Sequence, residues 1–347
     1  MANKSLHLVI PGLLAPWPNS DKAGSKAPKV PALERLLARA NVKTLAAASM
    51  DSTLFSLFGL PADADRDLPI AAITRFADGG DPAQGWWLRA DPVNLCADLQ
   101  QVLLFDARGL GISVEEAHFL VAEFNQTFAT DGLFLEAPCP TRWYLRLATD
   151  PGLRTRPLLD AIGRNIHSLL PTGQSSRRYR ALLTEIQMLF HSATVNVERE
   201  ARGQPLINSV WFWGGGTLPQ GTRSPAKGVY AVDPLTRGLA RLAGISLSPP
   251  PDHADDWRQA STGEAESLAV LEATRFDRVD NALPAWLTHI TALERDWFSP
   301  CLTMLQGKVL NSLRLYPDDG HVYEITTRHL GRFWRCARPV LYYCQTR

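Results

Sequence analysis

No apolar run in this chain approaches the roughly 18 residues that a membrane-spanning helix needs. The first ten residues hold one lysine and too short an apolar stretch for a secretory leader, so a cytoplasmic protein is expected, with no membrane partner. The nucleophile elbow G-x-S-x-G is missing, and so are a Walker A sequence and G-x-G-x-x-G; Gly109-Leu110-Gly111 reads as a turn. Serine-hydrolase chemistry and ATP or NAD binding are therefore not supported. The five cysteines, at 96, 139, 301, 336 and 344, form no C-x-x-C pair and no regular spacing, which argues against a zinc ribbon or a disulfide framework. The eight histidines are scattered, and neither H-E-x-x-H nor D-x-x-x-H occurs. Charge is nearly balanced, 36 basic against 35 acidic residues, so no overall field favours nucleic acid.

At 347 residues the chain can bury a large core. Leu6–Ile10 reads as a buried strand ended by Pro11-Gly12, followed by a Pro/Ser/Lys-rich loop over Pro16–Pro31. Pro31 then opens a helix carrying Leu33, Leu36, Leu37 and Ala40 at helical spacing. A second helix is expected from Asp51 as N-cap through Phe58. Strands follow at Trp86–Leu95 and Val102–Phe105. Ser113 with Glu116 three residues on is a capping box for a helix through Ala129. Strands at Leu133–Glu136 and Trp143–Leu147, helix over Arg177–Arg202 and a strand at Ser209–Trp213 come next. Helix at Pro234–Ala243, strand at Leu268–Leu271, a long amphipathic helix at Pro284–Leu305, a hairpin around Pro317–Gly320 and a last helix from Thr327 complete the pattern. This alternation predicts an α/β sheet covered by helices, in one large domain over 1–347 with an accessory α+β subdomain within 80–150.

Ile207–Gly216 is the likeliest binding crevice by pattern, a buried-looking strand running into Gly214-Gly215-Gly216, where backbone can approach an anion closely. Between Arg142 and Arg202, ten arginines face five acids. Arginine offers planar bidentate donors to phosphate or carboxylate, and asparagine adds orientation. Arg164, Asn165, Arg199, Asn208, Trp213 and Arg237 join the three glycines as candidate ligand contacts. The competing reading is a surface helix with i,i+4 partners such as Glu198 and Arg202. Asp252-His253, behind three prolines, is an acid-histidine cluster and a candidate for metal. Arg328, Arg332 and Arg335 share a helical face beside Phe333 and Trp334, a pattern that also suits single-stranded nucleic acid. Aromatics favour burial, so a docking helix packed on the core is expected there instead.

Several segments carry a resemblance. Leu6–Ile10 with Pro31–Leu36, Asp51–Gly59 and Asp233–Ala240 resemble, in order, segments of archaeal-type cofactor-independent phosphoglycerate mutases of the alkaline-phosphatase superfamily. Leu88–Val93, Ile162–Asn165, Glu185–Leu189 and Asn208–Gly216 resemble a bacterial family of RpfE-type regulatory proteins. The resemblance implies an alkaline-phosphatase-like central sheet flanked by helices, with an inserted or accessory α+β region. It further implies two divalent metals held by aspartates and histidines, and a serine or threonine nucleophile. Here the chain departs from the pattern. Pro11-Gly12 stands where the first strand would supply a metal-binding aspartate, and Met50 stands where the nucleophile would be, with Ser49 and Ser52 out of place.

The sequence therefore leads to a binding or regulatory protein without catalytic residues or cofactor, taking an anionic, phosphorylated metabolite or a protein partner. One alternative is an active mutase or phosphatase with rearranged ligands, in which Asp252, His253, Asp318 and His321 would hold Mn or Zn; another is nucleic-acid binding through the arginine-rich C-terminal helix.

Overall fold

The computed structural model describes residues 4–17, 28–46, 49–62, 66–82, 85–98 and 100–344. Most of the expected Pro16–Pro31 loop lies outside the described residues. The chain divides into two compact units, one made of residues 1–62 and 221–347 and the other of residues 63–220. The 80–150 stretch set apart in the sequence falls inside the second.

The first unit is built on a seven-stranded sheet in the order Ser246–Ser248, Gly228–Tyr230, Glu266–Val270, Ser5–Val9, Ser312–Tyr316, His321–Thr326, Asn41–Thr44. The first five strands run parallel, and His321–Thr326 turns back antiparallel as the expected hairpin. Because those five share a direction, the loops leaving them all emerge at one edge, where open α/β sheets bind ligands. Leu6, Leu8 and Ile10 face helices that present Leu33, Leu36, Leu37, Trp286, Ile290 and Leu293, which forms the main core. The helix Pro31–Arg39 starts with no side-chain cap of its own. Glu294 supplies one from far along the chain, accepting from the N–H groups of Ala32 and Leu33 at 2.7 and 3.0 Å.

In this unit three helices differ from their sequence expectation. Ser49, not Asp51, caps Met50–Leu57, in a reciprocal box with Ser52. The long helix expected over Pro284–Leu305 is interrupted by a π segment, Glu294–Phe298, which rotates its face between Leu283–Leu293 and Ser299–Gln306. No helix starts at Thr327: a single 3-10 turn, His329–Gly331, leads into irregular chain, and Val340–Tyr343 forms one further turn. Phe333 and Trp334 are 81 % and 66 % exposed, so they do not pack on a core as expected.

The second unit carries an antiparallel sheet in which Trp86–Ala97 pairs with Val102–Asp106, Arg142–Leu147 and Ser209–Gly216, and Phe134–Cys139 pairs with Arg142–Leu147. The Ser113/Glu116 capping box is present, and the helix it opens, Val114–Phe128, packs Leu120, Phe124 and Phe128 into a core with Leu145, Ile186 and Phe212. Ala193 divides the expected central helix into Ser176–Ser192 and Thr194–Ala201. The three glycines are the end of the strand rather than a turn beyond it. Among the described residues no helix is long and apolar enough to cross a membrane.

Candidate functional site

Four carboxylates and one guanidinium gather at the carboxyl edge of the parallel sheet. Glu272 and Arg275 follow the strand Glu266–Val270, Asp233 follows Gly228–Tyr230, Asp318 follows Ser312–Tyr316, and Asp51 sits in the first turn of Met50–Leu57. Gly12, after the first strand, lies under the loop that carries Arg275. Its φ is +78° and a Cβ there would stand 2.4 Å from the Thr274 carbonyl oxygen, so only glycine fits. The Thr274 hydroxyl closes this contact by donating to the Pro11 carbonyl at 2.8 Å.

Arg275 donates to Glu272 through Nη1 in a short contact. Burial works against its charge, but Glu272, Asp51 and Asp233 outweigh that and hold its pKa above the usual arginine value. Asp233 is buried and caps the helix Pro234–Leu242, accepting from the Thr236 N–H at 2.8 Å. Burial, and then the like charge of Glu272, push its carboxyl up to about 6. Asp318 rises to about 7, chiefly by desolvation and next by Asp51, against the pull of Arg275 and of a hydrogen bond from the Met50 N–H. Asp233 Oδ2, Thr236 Oγ1 and Arg275 Nε have no hydrogen-bond partner among the described residues.

A pair of divalent metals, which the sequence resemblance implies, does not fit this arrangement. The carboxylates already surround a fixed cation, and among the described residues no group of three His, Cys, Asp or Glu side chains is placed to hold a metal ion. The serines flanking Met50 hydrogen-bond to each other at 2.8 Å, and Ser52 donates to the Ser49 carbonyl at 2.9 Å, so both hydroxyls serve the helix cap. His321, a candidate ligand with Asp318, turns Nδ1 to the Asp319 carbonyl at 3.1 Å. Asp252 and His253 precede the helix Ala254–Ala260, and His253 contacts Asp296 at 3.1 Å.

In the second unit the strand end Gly215-Gly216 lines a cleft of about 820 Å³ together with Trp86, Thr149, Arg66 and Arg154. Pattern singles out the glycines but not these arginines as their neighbours: Arg154 is one of the ten arginines between 142 and 202, and Arg66 lies outside that stretch. The glycines themselves are held closely: Gly214 is against Ile70, Gly215 against the Trp86 ring and Gly216 against Pro69.

The other candidates are dispersed. Arg199 is 0 % exposed and is bound to the Pro205 carbonyl and Glu116, each at 2.8 Å, and to the Leu110 carbonyl. Asn208 staples two strands through both polar groups of Leu95 and borders a second cavity of about 430 Å³ beside Arg180 and Gln187. Trp213 donates to Asp91. Arg164 bonds its own turn at the Asp160 carbonyl, and Asn165 caps the 3-10 turn Ile166–Ser168. Arg237 belongs to the first unit, on the helix Pro234–Leu242. Asp51, Asp233, Glu272 and Arg275 were not singled out as site residues. Their shared signal is a charged side chain just beyond a buried strand or in the first turn of a helix.

Sheet and flanking helices define a mixed α/β protein with a phosphoglycerate-mutase-like fold. No protein-family model matches the chain. It is 27 % identical over 146 residues to the 2,3-bisphosphoglycerate-independent phosphoglycerate mutase of Methanosarcina barkeri, covering 39 % of this chain and 36 % of that one. The corresponding mutase of Methanosarcina mazei is 26 % identical over 144 residues, with the same coverage. The match thus spans little more than a third of the length of these curated relatives. Among solved structures, the PH0037 protein of Pyrococcus horikoshii aligns with TM-score 0.58 at 15 % identity, covering 94 % of this chain and 88 % of its own. The cofactor-independent phosphoglycerate mutase of Thermoplasma acidophilum aligns with TM-score 0.50 at 15 % identity, covering 99 % and 95 %.

Proposed function

We propose that this chain is a binding or regulatory protein on a mutase-like scaffold, one that holds an anionic, phosphorylated small molecule without transferring its phosphoryl group. The observation that carries this reading is Arg275 among Glu272, Asp51, Asp233 and Asp318. Phosphoryl transfer in the mutases that the sequence resembles relies on two divalent ions to balance charge developing on the transferred group. A guanidinium supplies a single positive charge and cannot share its carboxylates with two metal ions without strong repulsion. The Ser49 and Ser52 hydroxyls, which lie near Met50, bond to each other and complete the helix cap.

The ligand is assigned to the cleft of the second unit, whose size suits a small metabolite. Arg66 and Arg154 bring bidentate donors and Thr149 a hydroxyl to a lining that also holds Asp67 and Asp150. A regulatory role in the cytoplasm, of the RpfE type, accords with binding without turnover.

The test is interconversion of 3- and 2-phosphoglycerate by the purified full chain with manganese, and again after EDTA. We expect no turnover in either condition, and manganese-dependent turnover would overturn the reading. Calorimetry with 3-phosphoglycerate and with inorganic phosphate then checks the cleft. Arg66→Gln with Arg154→Gln is expected to weaken binding at least tenfold, given about 1.5–3 kcal/mol for a hydrogen bond to a charged group. Unchanged affinity would remove the cleft from the proposal.

A further inference from the structure

We infer that the segment from Arg328 to Tyr343 is a docking surface for single-stranded nucleic acid, separate from the cleft described above. From Arg328 to Cys344 the chain holds four arginines and no acidic residue. Phe333 to Pro339 is an unbroken exposed stretch of irregular chain. Phe333 and Trp334 project from it as adjacent rings 5.3 Å apart at 83°, leaving ring faces open to solvent.

The charge around these rings is not neutralised by its own contacts. Arg332 donates to the Arg39 carbonyl at 3.1 Å and to Asn41 Oδ1 at 2.8 Å, and Arg335 donates to the Ala40 carbonyl at 2.6 Å. Arg39 in turn reaches the Leu330 carbonyl. Every one of these acceptors is neutral, so the guanidiniums are positioned without losing their charge. Arg338 lies over the Tyr342 ring with 4.2 Å to its centroid, a planar cation stacked on an aromatic. Fixed arginines alternating with open rings are what a strand with unpaired bases requires: phosphates meet the forks and bases stack on the rings.

An anionic membrane would also attract this charge, but it fits the geometry less well. Inserting Phe333 and Trp334 into hydrocarbon would drag Arg332 and Arg335, their immediate chain neighbours, toward the same depth. Both are tied to backbone carbonyls of the folded body and have no slack to reach back to the headgroups. Stacking on a single strand leaves them where they are.

The experiment measures binding of a fluorescein-labelled oligothymidylate of about 16 nucleotides to the full chain by anisotropy, across a salt series. We expect binding that weakens with salt, with a log–log slope shallower by about 1.4 in Arg328→Gln/Arg338→Gln, at about 0.7 for each lost phosphate contact. Phe333→Ala/Trp334→Ala is expected to lower affinity at least tenfold while leaving thermal stability unchanged, because both rings are exposed. A duplex of the same sequence should bind more weakly than the single strand. No binding, equal binding of the duplex, or full affinity in the ring-less variant would each overturn the inference. So would capture on phosphatidylglycerol vesicles without oligonucleotide binding, which would assign the patch to a membrane. None of these outcomes bears on the cleft, whose probe is a phosphorylated small molecule.

Discussion

Trp213 donates its indole N–H to Asp91 Oδ2 at 2.7 Å, beneath the Arg89 guanidinium that lies 5.0 Å from the indole ring centroid. Asp91 is fully buried, takes two further short contacts from Arg89 Nη2 at 2.7 and 2.8 Å, and accepts the Trp143 N–H at 3.3 Å. Trp213 is thereby part of the structural frame behind the glycines.

This relationship predicts a graded loss of stability. Asp91→Ala leaves the Arg89 charge buried without its partner and should cost about 3–5 kcal/mol. Trp213→Phe removes a single hydrogen bond to a charged acceptor and should cost about 1.5–3 kcal/mol. Urea denaturation of both variants gives the comparison. Equal costs, or none, would contradict the network described here.

Gly215 predicts the effect of a single methyl group. A Cβ there would lie 2.0 Å from the Trp86 ring, so Gly215→Ala must displace the indole at an overpacking cost of about 1–3 kcal/mol. Trp86 also lines the cleft, so phosphate-ester affinity should fall along with the urea midpoint. A variant as stable as the parent would show that the ring is free to move.

Asp233 sets a pH dependence. Its carboxyl, raised to about 6 by burial and by Glu272, keeps its proton in the folded chain well above the unfolded value of about 3.9. Between these two values the folded state binds more protons than the unfolded state. Stability contributed at this residue therefore falls as pH rises from about 4 to about 6, and is level above that. Asp233→Asn keeps a good N-cap and should flatten this part of the profile. Thermal midpoints of both proteins across that window decide the matter, and parallel profiles would refute the assignment.

Arg275→Ala should destabilise the carboxyl-edge cluster. With the guanidinium gone, Glu272, Asp51, Asp233 and Asp318 are left without the positive charge that balances them. Removing one partner of a buried charge pair costs about 3–5 kcal/mol. Urea denaturation of variant and parent measures the loss, and an unchanged midpoint would argue against Arg275 as the residue that balances these charges.

Local chemistry made much of the fold readable. The Ser113/Glu116 box, Pro31 at a helix start and the Pro317–Gly320 turn act through their immediate neighbours, and each appears where the pattern places it. What escaped was set by distant partners. Asn41–Thr44 is largely exposed and polar, and it exists as a strand because it pairs with His321–Thr326. The helix expected from Thr327 is replaced by chain pinned through Arg332 and Arg335 to carbonyls at Arg39 and Ala40. The candidate site divides in the same way. A glycine run advertises itself in one stretch, whereas Asp51, Asp233, Glu272, Arg275 and Asp318 meet only because parallel strands bring their ends to one edge.

That parallel arrangement also bears on how the chain is made. Within the seven-stranded sheet the strand made earliest is a central one, and His7 finds Glu266 and Arg314 259 and 307 residues further along. Its hydrogen-bonding edges must wait until residues 266–316 are made, while the continuous 63–220 unit can complete its own sheet earlier. The first unit is thus the late, high-contact-order step of folding, and its nascent first strand is the segment most in need of protection from other chains.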